Sequence, residues 1–452
     1  MATYITYLLL STMIVSATAS ENLQSSKKLS IDLQRHEATA STYIENLLLT
    51  QTNQDSMVML IDLMVNKKAS SAYKTYFQYM YNYQQIQFVG QLGIGSKKEM
   101  YRFIFDSGSS EMWLSNKSDN YAREHKSFDC LINSKSCKSF PMRKTSMHYG
   151  SGSMHGILVS DDVWVPNLKS SSANPKYLAA QKSVVQANRP MNSSKIKDWA
   201  KCKNMTFYEV SNSPGMDRLF SDGIVGIGRT DQSDRKFLWT ILKEQGSIDN
   251  QWISLYYADN CATCRQSSFM IGGYDEDIVK ESGDKVKWLD AAKDTPSAWT
   301  LKLDQLLIDD MSVFVNKRPS AYYIHDGSIE SRNPINDEMK DLNYRGNLLL
   351  DSGTSWVFIP KEIAELYTSQ AAKKGLECYV GVVSDYDLIY CVNLKSKIFD
   401  LDMPKVYYLF NGEMYTVDNT KMILECYRQD DGLFKCETKF RTRTGFTLGM
   451  PF

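Results

Sequence analysis

Neither sign of charge is in excess: Lys plus Arg and Asp plus Glu each total 52 in 452 residues, so the formal net charge is zero. Without a basic surplus there is no electrostatic case for a nucleic-acid or anionic-membrane partner. One C-x-x-C, Cys261 to Cys264, lacks the second copy that a zinc ribbon requires. No βαβ pattern frames it as a thioredoxin-type site either, so an ordinary disulfide is expected there. The uncharged run at residues 4–15 (YITYLLLSTMIV) is too short to span a bilayer. It is followed by Ala17-Thr18-Ala19, a small-residue cleavage pattern, so residues 1–19 are expected to be a removed signal peptide that leaves no membrane span.

Nine cysteines suit the oxidising compartment that a signal peptide leads to. Cys130 and Cys137 can close a small loop. Cys378, Cys391, Cys426 and Cys436 share one C-terminal region, where three pairings are open. The odd count leaves one thiol free or its partner outside this chain. Three N-x-[ST] sequons, at Asn116, Asn192 and Asn204, are candidate glycan sites on exposed loops.

An apolar fraction of 43% with 12% aromatics describes a packed globular protein. Residues 20–75 differ from the rest: polar, with short helical apolar stretches (YIENLLL, MVMLIDLMV) and neither Gly nor Pro from 21 to 75. They read as a prosegment, helical or partly disordered. Beyond Tyr76 the texture changes to short β-branched and aromatic runs punctuated by glycine, which indicates a mostly-β architecture. Residues 166–215 and 316–345 are polar or charged with little apolar periodicity and are expected to be solvated loops.

The decisive feature is a repeat. "FIFDSGSSEMWL" at 103–114 returns as "LLLDSGTSWVFI" at 348–359. Downstream of each copy comes a two-residue-then-Gly element, Ile224-Val225-Gly226 in "DGIVGIG" and Thr447-Leu448-Gly449 in "GFTLGMPF". One DSG is no more than a turn signal. Two in matching frames, each with the same follower, indicate a duplicated lobe, with boundaries expected at 76–245 and 246–452.

Lobes related by a pseudo-twofold axis would bring Asp106 beside Asp351. Two carboxylates a few ångströms apart cannot both ionise cheaply, so the pair keeps one proton over a wide pH range. A water between them can then lose a proton to one aspartate as it attacks a carbonyl, while the other polarises the carbonyl oxygen. Ser107, Ser109, Ser352 and Thr354 supply hydroxyls able to orient the carboxylates. Gly108 and Gly353 allow the two backbones to approach.

These motifs together resemble the pepsin-like aspartic proteases (family A1), over roughly residues 76–452. The resemblance implies a bilobal, mostly-β acid protease fold with a cleft between pseudo-symmetric lobes. It implies that "HYGSGSMHG" at 148–156 is a flap carrying Tyr149 and Gly150, and that Trp113 hydrogen-bonds the flap tyrosine. "DGIVGIG" matches the post-flap signature and "SSFMIGGYD" the strand opening the second lobe. Disulfides Cys130–Cys137 and Cys391–Cys436 are implied, Cys426 competing for the second. By the same resemblance the protein is expected to be a monomeric aspartic endopeptidase made as a zymogen. It would cleave polypeptides between apolar residues at acidic pH, need no metal or cofactor, and bind pepstatin-type inhibitors. Its expected location is extracellular or a lysosome- or vacuole-like compartment.

Three departures accompany the resemblance. Both motifs carry Ser where the family commonly has Thr, which keeps the hydroxyl that grips the opposite lobe. The second lobe is expected to lack its last strand, because the chain stops at "LGMPF". The prosegment is not notably basic, leaving Lys74 as the candidate to cover the dyad. His148 adjoins the flap tyrosine but no constellation recruits it, and it reads as a surface histidine. The alternative reading is a catalytically silent pepsin-fold protein that binds peptides or proteins in the same cleft; two intact DSG motifs favour the enzyme.

Overall fold

A computed structural model describes residues 74–450, apart from 84–85, 120–124, 169–192, 194–195, 230–235, 259–265, 284–285, 310, 315–320, 326–327, 333–339, 342–345, 384–385, 396–401, 411 and 418–421. The expected signal peptide and nearly all of the prosegment lie outside the described residues, as do Asn192, Cys261 and Cys264.

Two eight-stranded sheets dominate. In the first, strand Glu99–Asp106 lies between Gln87–Ile94 and Gly223–Gly226, and the latter pairs on its other side with Met112–Ser115. Asp198–Asn212, Ser153–Asn167 and Lys138–His148 continue the sheet, and Gln87–Ile94 also pairs with Ser153–Asn167, which curls it toward closure. Covered on both faces, EMYRFIFD is buried from Met100 to Asp106 despite its arginine. The charge of Arg102 is matched by buried Asp222, which accepts Nη2 at 2.7 Å and the Arg102 backbone N–H at 2.8 Å. The aspartate of "DGIVGIG" therefore serves the strand that delivers Asp106.

The second sheet repeats this plan. Asn347–Leu350 runs parallel to Phe446–Leu448 (Leu350 opposite Leu448), as Glu99–Asp106 runs parallel to Gly223–Gly226 (Asp106 opposite Gly226). Each follower strand also pairs antiparallel with the strand leaving its DSG loop, Val357↔Leu448 and Met112↔Val225. The two sequence echoes are structural equivalents. Their glycines have no room for a side chain: a Cβ on Gly226 would lie 2.3 Å from Glu111 N, and one on Gly449 2.3 Å from Trp356 O.

Each lobe has its own core. The first gathers Leu92, Tyr101, Phe103, Phe105, Phe207 and Leu242, and includes Phe269 and Ile271. Those two come from a separate three-stranded sheet formed by Tyr76–Tyr79, Ser268–Ile271 and Ile253–Tyr256. The second gathers Leu303, Leu348, Val357, Ile389, Tyr408 and Phe440, roofed by helix Lys361–Lys373. That helix follows Pro360 and buries Ile363, Ala364, Tyr367 and Ala371, one stripe at helical spacing.

Both expected loops contain strands. Within 166–215, Asp198–Asn212 is a fifteen-residue strand that buries Ala200, Cys202, Met205 and Phe207 while Lys203, Asn204 and Thr206 face water. Its polar outer positions hid the period-two pattern. Within 316–345, Ala321–His325 and Ser328–Arg332 form a hairpin of their own, and Lys340–Asp341 adds to a five-stranded sheet.

The C-terminal cysteines correct the expected pairing. The disulfides are Cys378–Cys391 and Cys426–Cys436, not Cys391–Cys436; Cys130–Cys137 forms as expected. Four adjacent strands set the cysteines in one row, Cys378 opposite Cys391, Cys391 opposite Cys436, and Cys436 opposite Cys426. Each of the two hairpins closes its own pair, and the central seam is left to hydrogen bonds. Cys202 is a free thiol, its burial pushing the thiol pKa up.

Candidate active site

Asp106 ends a buried strand and is itself only 6% exposed. The two aspartate loops are built alike. Ile227 N–H donates to the Asp106 carbonyl at 2.7 Å, while Asp351 N–H donates to the Leu448 carbonyl at 2.9 Å. Gly108 N–H donates to Asp106 Oδ1 and Gly353 N–H to Asp351 Oδ1, both at 2.9 Å.

The loops meet head-on. A Cβ on Gly108 would stand 2.5 Å from Asp351 Oδ1, and one on Gly353 2.2 Å from Asp106 Oδ1. Each carboxylate thus occupies the space that the other loop's glycine leaves vacant. Burial first, then the Asp106 charge and a hydrogen bond with Asp106, hold the Asp351 carboxyl well above the usual carboxylate range. Such a pair retains a proton where isolated aspartates would both be ionised.

The flanking hydroxyls divide their work differently from the expectation that all four address the carboxylates. Only Ser109 does, its Oγ donating to Asp106 Oδ2 at 2.5 Å. Ser107 Oγ crosses the seam to the Leu350 carbonyl at 2.9 Å, and Ser352 Oγ crosses back to the Phe105 carbonyl at 2.6 Å. Thr354 Oγ1 accepts the Trp356 N–H at 3.4 Å; it is the Thr354 backbone N–H that favours ionised Asp351. The pseudo-symmetry of the backbone is therefore broken at the side chains.

Strands Lys138–His148 and Ser153–Asn167 form the expected hairpin, its tip closed by Tyr149 N–H to the Gly152 carbonyl at 2.7 Å. Gly150 at the tip has open space around it, whereas a Cβ on Gly152 would meet the Pro214 carbonyl at 2.3 Å. Tyr149 turns inward, its ring 6.5 Å from that of fully buried Trp113. Burial, then the Asp106 charge, push its phenol up; the expected hydrogen bond with Trp113 is not formed, the buried Tyr149 hydroxyl having no hydrogen-bond partner among the described residues. His148 is exposed. Lys74 does not cover the dyad: its Nζ donates to the Gly246 carbonyl at 3.0 Å, because the adjoining strand Tyr76–Tyr79 is paired with Ser268–Ile271.

Several contributors escaped the sequence reading. Ser355 Oγ donates to the Ile86 carbonyl, and Trp299 Nε1 donates to the Ile227 carbonyl at 2.7 Å; both bonds join the lobes. The fifth residue of the second DSG motif was a signal for Ser355, but nothing local marked Trp299. Tyr257 lies close enough to the dyad to feel both aspartates, with Ser352 as a hydrogen-bonding neighbour and Phe88 packed on its ring. Among the described residues no group of three or more His, Cys, Asp or Glu could hold a metal ion.

Duplicated β lobes with one carboxylate from each meeting at the seam define the bilobal pepsin-like class. A family model described as eukaryotic aspartyl protease matches residues 87–188 and 195–449, and the chain belongs to that family. Among curated relatives it is similar to cathepsin D of Homo sapiens, 25% identical over 248 residues covering 50% of each chain. Cathepsin D of Mus musculus is 23% identical over 368 residues, 76% of this chain and 69% of the relative. Vacuolar protease A of Arthroderma otae is 23% identical over 298 residues, 64% and 58% respectively. The chain thus spans between 50% and 69% of these relatives' own lengths.

Proposed function

We propose that the protein is an aspartic endopeptidase whose dyad is Asp106 and Asp351. The observation that carries this reading is the reciprocal seating of each carboxylate against the other loop's glycine, which sets the two acids side by side. Asp351, its carboxyl held above the usual carboxylate range, is the partner suited to carry the shared proton, and Asp106 accepts donated bonds from Gly108 and Ser109. Asp106 takes a proton from a water between them as that water's oxygen bonds to the scissile carbonyl carbon. Asp351 gives its proton to the carbonyl oxygen. The resulting gem-diol collapses when a proton reaches the amide nitrogen and the C–N bond breaks.

Tyr149 and Gly150 close over the substrate, with Trp113 bracing the tyrosine. Ser109, with the Gly108 and Gly353 N–H groups, holds the carboxylates directly, Ser107 and Ser352 lock the two loops together, and Thr354 contributes through its backbone N–H. A signal peptide (1–19) and prosegment (20–75) precede a monomeric enzyme that works in an acidic compartment on polypeptides, and that pepstatin-type compounds inhibit. The similarity to vacuolar protease A is in keeping with such a compartment. Among the described residues no helix is long and apolar enough to cross a membrane. The test is an acid digest of a denatured protein by the full chain, with and without pepstatin. Cleavage lost in Asp106→Ala and blocked by pepstatin is expected. Cleavage that survives either treatment overturns the assignment, and a folded protein that binds pepstatin without cleaving is the silent alternative.

A further inference from the structure

Two residues with no part in the dyad are stacked on each other beside it. Arg229 emerges from a segment pressed against the Asp106 loop. Ile227 N–H bonds the Asp106 carbonyl, and Gly228 N–H bonds the Ser109 carbonyl at 2.7 Å. A Cβ on Gly228 would stand 2.6 Å from Ser109 O and 3.1 Å from Ser107 O. Trp299 belongs to the other loop's support, since its carbonyl accepts Leu350 N–H at 2.8 Å, directly before Asp351. The indole reaches back across the seam to the Ile227 carbonyl at 2.7 Å, and the Arg229 guanidinium lies over its ring at 5.5 Å. The pair is therefore tied to both catalytic loops.

Trp299 is a large aromatic left 38% exposed, and Arg229 is half-buried. No carboxylate among the described residues pairs with this guanidinium; its contact is the indole face. An arginine laid on an aromatic plane has already lost much of its rotamer freedom, and its fork of N–H donors matches a carboxylate. Arg229 is two residues from Ile227, so its backbone lies within about 7 Å of that anchor. An extended substrate advances roughly 3.3 Å per residue, which brings side chains up to about three residues from the scissile bond within reach.

We infer that Arg229, held on Trp299, is a specificity-determining residue that selects an acidic substrate side chain within three residues of the scissile bond. This rests on the proposed peptide-cleaving role of the site. The selection follows ionisation of the substrate carboxylate: weak near pH 3 and stronger toward pH 5.5.

The test uses the full chain, before and after acidification, and peptides with a reduced scissile bond, so that binding is read without turnover. Each peptide carries Glu or Gln at one of the six flanking positions, and affinity is measured by fluorescence anisotropy at pH 3 and 5.5. At one position Glu is expected to bind about tenfold tighter than Gln at pH 5.5, a preference that shrinks at pH 3. Arg229→Gln is expected to abolish the preference and Arg229→Lys to keep part of it. The preference is a ratio within one protein, so a general loss of affinity in a variant cancels. Absence of a Glu preference at every position, one that Arg229→Gln leaves intact, or failure to bind any of the peptides overturns the inference. Failure to hydrolyse the unmodified peptides while the reduced ones bind with the Arg229-dependent preference would instead overturn only the catalytic assignment.

Discussion

Ser107 and Ser352 hold each other across the lobe boundary. Each hydroxyl accepts the other's backbone N–H at 2.8 Å and donates to the carbonyl just before the other's aspartate. Four hydrogen bonds in a closed pattern fix the separation of the loops, and the carboxylates inherit that separation. Ser107→Ala leaves the Ser352 N–H and the Leu350 carbonyl without this partner, and unmet polar groups in such a place cost about 1–3 kcal/mol. Denaturant unfolding at acidic pH should show that loss, and peptide hydrolysis should fall with it because the dyad spacing loosens.

Gly353→Ala should act on chemistry more than on folding. Its Cβ would collide with Asp106 Oδ1, and Gly353 does not have a positive φ that alanine would resist. The carboxylates must part, and a shift near 1 Å costs on the order of a hundredfold in rate. Steady-state kinetics beside a thermal melt separates the two effects. Wild-type kcat with Ala at 353 would mean that the loops are not in contact.

The raised Asp351 carboxyl sets the sign of a pH effect. A group whose folded pKa exceeds its unfolded value stabilises the fold in acid, and that contribution is lost as pH rises through the folded value. The loss begins above the ordinary 3.8 and continues upward. Melting temperature should therefore fall from about pH 4 toward neutrality, and Asp351→Asn, which cannot ionise, should flatten that fall while removing activity. A melting temperature that rises over this interval contradicts the assignment.

Peptide mapping without reduction should recover Cys378 linked to Cys391 and Cys426 linked to Cys436. A thiol reagent should reach Cys202 only after denaturation, since that side chain is fully buried. Recovery of a Cys391–Cys436 peptide would show that the central seam of the four-cysteine row oxidises instead.

Of the sequons whose asparagines are described, Asn204 and Asn116 should behave differently when the protein is made in a secretory host. Asn204 is exposed in a left-handed turn (φ 53°) within Asp198–Asn212. The Asn116 side-chain amide donates to buried Glu209, and its oxygen accepts Ser118 N–H at 3.0 Å. Glycan transfer needs that amide nitrogen free. Site-occupancy mass spectrometry should find Asn204 modified and Asn116 bare.

Much of the dyad could be read directly from sequence because it was written twice. Identical frames at 103–114 and 348–359, each with its own follower glycine, imply a duplicated lobe by themselves. The hairpin that carries Tyr149 was legible because its residues are contiguous. Contacts between distant segments were not legible: Trp299 reaching Ile227, Ser355 reaching Ile86, and Asp222 neutralising Arg102 join residues 72, 269 and 120 positions apart. No local pattern encodes such partners.

The cysteines show where that division falls. Composition and spacing established that four sulfurs share the second lobe, and any of three pairings was compatible with the chain. Strand register then set them in one row and gave each hairpin its own pair. In the same way, the paired DSG motifs determined that two aspartates exist as a set. Only the packing of the lobes decided that Ser109 serves a carboxylate while Thr354 does not, because hydrogen-bond geometry depends on tenths of an ångström that a repeat in sequence does not specify.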